Sequence, residues 1–419
     1  MSKLDELIKE FCPDGVEYVK LREVVTFSNT GVDKKTNLNE DEILLLNYMD
    51  VFKNNYIDSL IPSMKVTATQ NKIDTCDVKT GDIFITPSSE KIDEIGIASV
   101  IKEDILNCCY SYHIMRLRLI EKNYSTSCFI RYCFESSNMR KQILKNATGL
   151  TRFGLTKGKF ENLEIPLPPL PVQEEIVRIL DNFTELTTEL TTELTTELKA
   201  RKKQYEYYRD SLFTFGDEVE WKTLGEICEL ITKGTTPKSF EKIGVSFVKT
   251  DSFENGYINK KKLSYVSREI HMGSLKRSIL KGNDILFTIT GATIGKIAVV
   301  NTEILPANTN QNLSIIRLKD LNQLKYILFL LQSKLMNKYI EKSVKGSAQP
   351  SLNLQQINSF PIPLPPLEEQ QRIVDILDRF DTLCNDISQG LPAEIKARQQ
   401  QYEYYRDKLL TFPKIGIEV

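Results

Sequence analysis

The stretch closest to a catalytic motif is Gly291-Ala292-Thr293-Ile294-Gly295-Lys296-Ile297. A phosphate-binding loop needs four residues between its glycines, so that backbone amides wrap the phosphates, and a Ser or Thr after the lysine to meet magnesium. Here the first spacing is one residue short and Ile297 follows the lysine, so the segment reads as a turn between two strands. No Asn-Pro-Pro-Tyr or Asp-Pro-Pro-Tyr stretch that would orient an amino group for methylation occurs, and neither His113 nor His271 has a recognisable nucleophile partner. Eight cysteines form no Cys-x-x-Cys pair, and with two histidines they make a poor zinc set, so they read as reduced structural thiols. The chain is expected to carry no catalysis and to bind no metal or cofactor of its own.

Cationic chemistry is present and unevenly spread. The formal net charge is −1, yet residues 20–159 hold 20 basic and 17 acidic side chains and residues 222–345 hold 20 and 10. Such segregation is the footprint of a phosphate-binding surface, and the alternative is solvated surface lysine. Lys260, Lys261 and Lys262 with Arg268, Lys276 and Arg277 form the densest cluster, which could follow a nucleic-acid backbone or simply line a solvated hairpin. Thr148-Gly149-Leu150-Thr151-Arg152 and Lys345-Gly346-Ser347-Ala348-Gln349 occupy equivalent places in the two halves of the chain. Arg152 and Gln349 have the bidentate chemistry for guanine and adenine edges; in the alternative reading Gly149 and Gly346 merely end a helix. Lys157 and Lys345 complete the candidate DNA-contacting set.

These side chains are positioned by a duplicated frame. Residues 199–215 match 396–412 at 13 of 17 positions, with Gln204-Tyr205-Glu206-Tyr207-Tyr208-Arg209-Asp210 recurring unchanged as Gln401-Tyr402-Glu403-Tyr404-Tyr405-Arg406-Asp407. The same offset carries Ile165-Pro166-Leu167-Pro168-Pro169-Leu170 onto Ile362-Pro363-Leu364-Pro365-Pro366-Leu367. Each proline strap forbids helix before it and leads into a long helix, the first expected over about 172–215. Three copies of Thr-Thr-Glu-Leu at 187–198 place Leu186, Leu190, Leu194 and Leu198 four residues apart, with Leu383, Ile387, Leu391 and Ile395 at the same register in the second copy. Two matched apolar rows predict two helices packed on each other, because threonine is a mediocre helix former and the row needs a partner surface. Gly390 and Pro392 should kink or interrupt the second helix. Tyr205, Tyr208, Leu212 and Phe215 step by three and four as core residues, whereas Tyr207 and its copy Tyr404 lie off that stripe and could present one docking surface twice.

Between the helices lie two strand-rich halves. Runs at 43–48, 82–86, 95–101 and 110–120, then a helical pattern over 124–147, are repeated as runs at 245–249, 284–289, 296–300 and 313–318 and a helix from about 324 to 342. Val16-Glu17-Tyr18 and Val219-Glu220-Trp221 open the two halves alike. The fold class expected is therefore α+β: two mixed domains joined by two long antiparallel, coiled-coil-like helices in a pseudo-twofold duplication. The boundaries expected are 1–158 and 216–355 for the globular domains, and 159–215 and 356–419 for the strap-and-helix regions. The chain ends about where a third opening signature would fall, so the architecture reads as circular, with neighbouring termini. No leader and no apolar run of about 18 residues is seen, so a cytoplasmic protein away from membranes is expected.

The straps, the Gln-x-x-Ile-Val-x-Ile-Leu-Asp helix starts, the duplicated Gln-Tyr-x-Tyr-Tyr-Arg-Asp and the central tetrapeptide repeat together resemble the specificity subunit of type I restriction–modification systems, over essentially the whole chain. The resemblance implies two target-recognition domains reading a bipartite, interrupted sequence in double-stranded DNA. It implies a repeat that acts as a ruler between half-sites, and docking to two methyltransferase subunits and to restriction subunits. S-adenosylmethionine, ATP and magnesium would then belong to those partners. Alternatives from other classes are a coiled-coil adaptor without DNA specificity and a self-contained methyltransferase or nuclease, which lacks its motifs.

Overall fold

The computed structural model describes residues 2–254, 256–344, 350–386 and 389–415. The chain folds as two compact units, Met1–Thr191 with Ala397–Val419, and Thr192–Lys396. Each unit thus gathers one strand-rich half, the start of one helical region and the end of the other.

In the first unit, strands Val25–Ser28, Met115–Leu119, Ile83–Ile85, Ala98–Ile101 and Tyr56–Ile57 form a five-stranded sheet in that order. A second sheet orders Met64–Ala68, Asp41–Leu46, Ile105–Tyr110 and Asp77–Val78, with Leu44 beside Cys108 in a parallel pairing. The second unit repeats the plan. Cys228–Lys233, Leu313–Leu318, Ile285–Thr288 and Ile297–Val299 form one sheet, and Ser264–Val266, Val245–Val248 and Ala307–Thr309 the other, again with a parallel pair that sets Ser246 beside Ala307. The helical pattern after the strands is two helices in each half, Tyr124–Glu135 and Ser137–Asn146, then Leu324–Leu331 and Lys334–Ser343. Ser136 breaks the first pair by accepting the Met139 amide in an N-cap, and Ser333 stands at the matching place.

The opening signatures and the proline straps pair with each other. Tyr18 lies opposite Pro166 and Trp221 opposite Pro363 in two-stranded antiparallel ribbons, where a missing amide can face outward. Buried Gln173 and Gln370 donate from Nε2 to the strap carbonyls of Pro168 and Pro365 at 2.7 and 2.9 Å, which explains the glutamine in each helix-start motif. The helices that follow are Leu170–Leu212, and Leu367–Asn385 with Leu391–Leu409. The second region is interrupted at the expected place: a Cβ on Gly390 would lie 2.4 Å from the Thr382 carbonyl oxygen.

The leucine row departs from the expectation of a buried seam. Leu186 and Leu190 are 55% and 42% exposed, Leu194 and Leu198 half-buried, Leu383 37% exposed, and Leu391 and Ile395 half-buried; Ile387 lies outside the described residues. Geometry explains this, because four residues turn a helix about 400°, so a strict four-residue row winds about 40° per step off any one face. The first unit is closed by the far end of the chain. The Val16 amide donates to the Pro413 carbonyl at 2.9 Å and the Tyr18 hydroxyl to the Phe412 carbonyl at 3.0 Å, so the segment after the second helix meets the first opening signature. The helix Lys3–Phe11 precedes that signature and is anchored by the Lys3–Glu175 ion pair at 3.1 Å. Leu410 and Phe412 belong to the same core as Leu117, Phe129 and Ile176. Phe412→Ala is expected to cost the first unit about 3–5 kcal/mol, read as a lower urea midpoint for that unit's transition with the second unit's transition unmoved.

Candidate nucleic-acid interface

The best-defined exposed site is built on the strand Ile83–Ile85. Its entry turn is fixed by Asp82, which accepts the Lys79 amide at 2.9 Å and receives Arg118 in a two-pronged pair at 2.6 and 2.7 Å. Asp284 repeats this with the Lys281 amide at 2.7 Å and Arg317 at 2.7 and 2.8 Å. Both carboxylates are buried, and the paired carboxylates hold both guanidinium groups firmly charged, above their ordinary range. Neither pair was singled out from the sequence, although Lys-x-x-Asp-Ile recurs at 79–83 and 281–285 and was a usable signal.

The strand leads to Ser88–Ser89, which pairs antiparallel with Phe153–Gly154. Thr148 and Gly154 exchange amide-to-carbonyl bonds at 3.1 and 2.9 Å, so residues 148–154 form a tight hairpin past the end of the helix Ser137–Asn146. Gly149 is required there, beyond ending a helix. Its φ is +136° and a Cβ would sit 1.9 Å from the Arg152 carbonyl oxygen. Leu150 at the tip is 95% exposed, and Arg152 is exposed with Nε and Nη2 donating to Ser88 Oγ at 3.3 and 3.1 Å. Beside Arg152 lies a cleft of about 460 Å³ lined also by Tyr48, Ser88, Glu90, Lys91, Glu94 and His113. Burial, Lys34 and Arg152 push the His113 pKa down, which favours a neutral ring able both to donate and to accept. In the second unit, Thr290 bridges Ser351 and the Leu352 amide donates to Ile289 at 2.8 Å, as Leu155 does to Pro87 at 3.0 Å. Lys345, Gly346 and Gln349 lie outside the described residues.

The other candidates are more dispersed. Lys260–Lys262 is a one-turn 3-10 helix in which Lys260 pairs with Glu303 and Lys262 with Glu254, both pairs exposed. Arg268, Lys276 and Arg277 are exposed on the following elements, and Lys157 pairs with Glu161 at 3.7 Å. The Gly291-to-Lys296 segment joins two antiparallel strands, as a turn should. His271 is buried on Asn308, all eight cysteines are buried and unpaired, and among the described residues no metal-holding cluster occurs. Among them, no helix is long and apolar enough to cross a membrane.

The duplicated tyrosine motif does something its helical spacing did not disclose. Asp407 accepts the Ser137 amide at 3.0 Å, and the Ser137 hydroxyl as well, while Asp210 accepts the Lys334 amide at 2.8 Å. Each carboxylate thus caps the second helix of the pair in its strand-rich half, where the helix dipole favours negative charge. Tyr402 and Tyr205 are buried beneath Arg406 and Arg209. Tyr207 and Tyr404 remain 70% and 62% exposed.

The model of the type I restriction modification DNA specificity domain matches residues 13–200 and again 216–397. The chain belongs to that family. A specificity-domain relative, the type I restriction enzyme EcoR124I/EcoR124II specificity subunit of Escherichia coli, is 39% identical over 272 residues, which span 61% of this chain and 64% of that protein. The EcoprrI specificity subunit of E. coli is 29% identical over 412 residues, 93% of each chain. The fold is shared with a chain from a solved structure on complex assembly and conformational transition of the type I R-M system, at a TM-score of 0.62 and 18% identity over 96% of this chain and 98% of that one. It is shared also with the HsdS subunit of Thermoanaerobacter tengcongensis, at 0.51 and 18% over 96% of each. The family's two matched domains coincide with the two recurrences of sheet order and buried Asp–Arg pair.

Proposed function

We propose that this chain is the DNA-reading, non-catalytic subunit of a type I restriction–modification complex. Residues 1–158 and 216–355 are its target-recognition domains, and 159–215 and 356–419 its spacer regions. The observation that carries the reading is the twofold recurrence of one unit, with the same strand order, buried ion pair and tyrosine grip, in a chain of the specificity-domain family. Each unit reads one half of an interrupted target. Arg152 and Gln349 contact base edges, and Lys157, Lys260 to Lys262, Arg268, Lys276, Arg277 and Lys345 contact phosphates. Two methyltransferase subunits dock on the helical regions and restriction subunits join them; S-adenosylmethionine, ATP and magnesium are held by those partners. The setting is the cytoplasm.

The deciding experiment maps modified bases in a host genome with and without the gene, and with one Thr-Thr-Glu-Leu deleted. The intact gene should add methylation at one interrupted motif. Deletion removes about 6 Å of helix and about 40° of rotation, against about 3.4 Å and roughly 34–36° per DNA base pair. The gap should therefore shorten by one base pair with both half-sites unchanged. An unchanged gap would make the repeat simple packing, and no gene-dependent motif would remove the function.

Neutralising Lys260, Lys261 and Lys262 together is expected to flatten the salt dependence of DNA binding without altering the preferred sequence. An altered motif would show that they read bases. Tyr207→Ala with Tyr404→Ala should abolish capture of the methyltransferase subunits in a pull-down while leaving the fold intact, since both rings are exposed; undiminished capture would exclude these rings as the docking surface.

A further inference from the structure

We propose that the hairpin of residues 148–154 and the cleft beside it form a built site for one G·C base pair, with Arg152 on the guanine and Glu90 on the amino group of the paired cytosine. The inference rests on DNA reading by this chain and names the chemistry of one of its half-sites. A site that only follows phosphates needs cations, and carboxylates in it would oppose binding. This cleft mixes the two signs: Arg152, Lys91 and His113 face it together with Glu94 and Glu90. The major-groove edge of a base pair is mixed in the same way. Guanine offers two adjacent acceptors, O6 and N7, to a guanidinium fork, and cytosine offers an N4 donor beside them to a carboxylate.

The internal bonds decide which groups remain for DNA. Glu94 is engaged by the Ser89 hydroxyl at 2.6 Å and by Lys91 at 3.0 Å, which lower its pKa and hold it as a carboxylate that neutralises the lysine. Among the described residues Glu90 is exposed and has no ion pair. Arg152 meets Ser88 through its Nε and Nη2 only, and Ser88 is itself fixed by strand pairing with Gly154. The guanidinium is therefore held in place by its Nε edge, while Nη1 and the second hydrogen of Nη2 stay available as a fork. Tyr48, whose hydroxyl is buried with no partner, lines the cleft's wall. A guanidinium fixed on a hairpin that glycine alone can close, next to one unpaired carboxylate, is preorganised for a base edge.

The test maps methylation motifs for the full chain, expressed with its partner subunits, carrying Arg152→Ala, Arg152→Lys or Glu90→Gln. Both arginine variants should relax a single G·C position in one half-site, with discrimination falling on the order of 10- to 100-fold, while the other half-site and the gap stay strict. Glu90→Gln should relax the same position. A strict motif in all three variants overturns the proposal, as does a uniform loss of binding with a flatter salt dependence, the signature of a phosphate contact. If Arg152→Ala abolishes methylation altogether, Glu90→Gln decides, because that exposed side chain has no ion pair to lose, and an unrelaxed motif there overturns the proposal. A wild-type chain that directs no interrupted motif would instead defeat DNA reading itself, and the site with it.

Discussion

Neither strand-rich half can close its own core. The helices Tyr124–Glu135 and Leu324–Leu331 carry large apolar faces that need covering, and in each unit the cover comes from the start of one helical region and the end of the other. In the first unit Val172, Ile176 and Leu180 share a core with Leu410 and Phe412, and in the second Ile373 and Leu377 share one with Tyr205 and Phe213. Burying a large side chain contributes about 1.5–3 kcal/mol, so these residues together rival the net stability of a whole domain. The aspartate caps at Asp407 and Asp210 add direction to that attraction. A hydrophobic seam tolerates sliding, whereas a carboxylate on a helix N-terminus has one position.

The two units differ in how the seam is finished. In the first, Asp181 on the long helix accepts from the hydroxyls of Tyr56 and Tyr132, both at 2.6 Å, and fully buried Arg131 stacks on Tyr132 and pairs with Glu135. In the second, the matching Asp378 pairs with Lys325 at a partly exposed position, and Leu328 and Phe329 stand nearby in place of the buried arginine and tyrosine. In the first unit's network Arg131 Nε and Nη1 are buried without a hydrogen-bond partner, so that network specifies geometry more than it adds stability. Recognition halves sharing one architecture can in this way carry different side chains where they meet the helices.

Much of this was legible because duplication writes the same constraint twice. The straps, the glutamine-led helix starts, the interruption at Gly390 and the return of the segment after the second helix to the first opening signature all followed from repeated residues with strong backbone preferences. The parallel pairing of Asp41–Leu46 with Ile105–Tyr110 was not legible, since it joins segments far apart in sequence whose apolar alternation fits several partners. At Ser136 an unbroken helical period hides the cap that splits the helix in two. At the candidate interface, Arg152 was chosen for its chemistry, but Ser88, Glu90 and His113 come to it only through the pairing of Ser88–Ser89 with Phe153–Gly154, two residues long and invisible to periodicity. The aspartate of the tyrosine motif was missed for a related reason: its partner lies 270 residues away.

The tetrapeptide repeat is where the structure most changes the reading. A leucine row seeking a partner would tie each repeat to specific neighbours, and losing one would break tertiary contacts. Instead part of the repeat is satisfied within its own helix. Thr191 and Thr196 donate their hydroxyls to the carbonyls of Thr187 and Thr192 at 2.8 Å, the back-bonding that lets threonine sit inside a helix, and Arg201 pairs with Glu197 one turn away. Leu186 and Leu190 are 55% and 42% exposed, and of the row only Leu198 is among the described side chains packed on the second unit's core. A turn whose threonine hydroxyls bond back to the helix's own carbonyls can be gained or lost at a smaller energetic cost than one locked into a core. The residues that grip the recognition halves, Asp181 and Tyr205 among them, lie outside it on either side. Length can thus vary between Asp181 and Tyr205 with little change to either core, Leu198 at the end of the repeat being the residue that meets one.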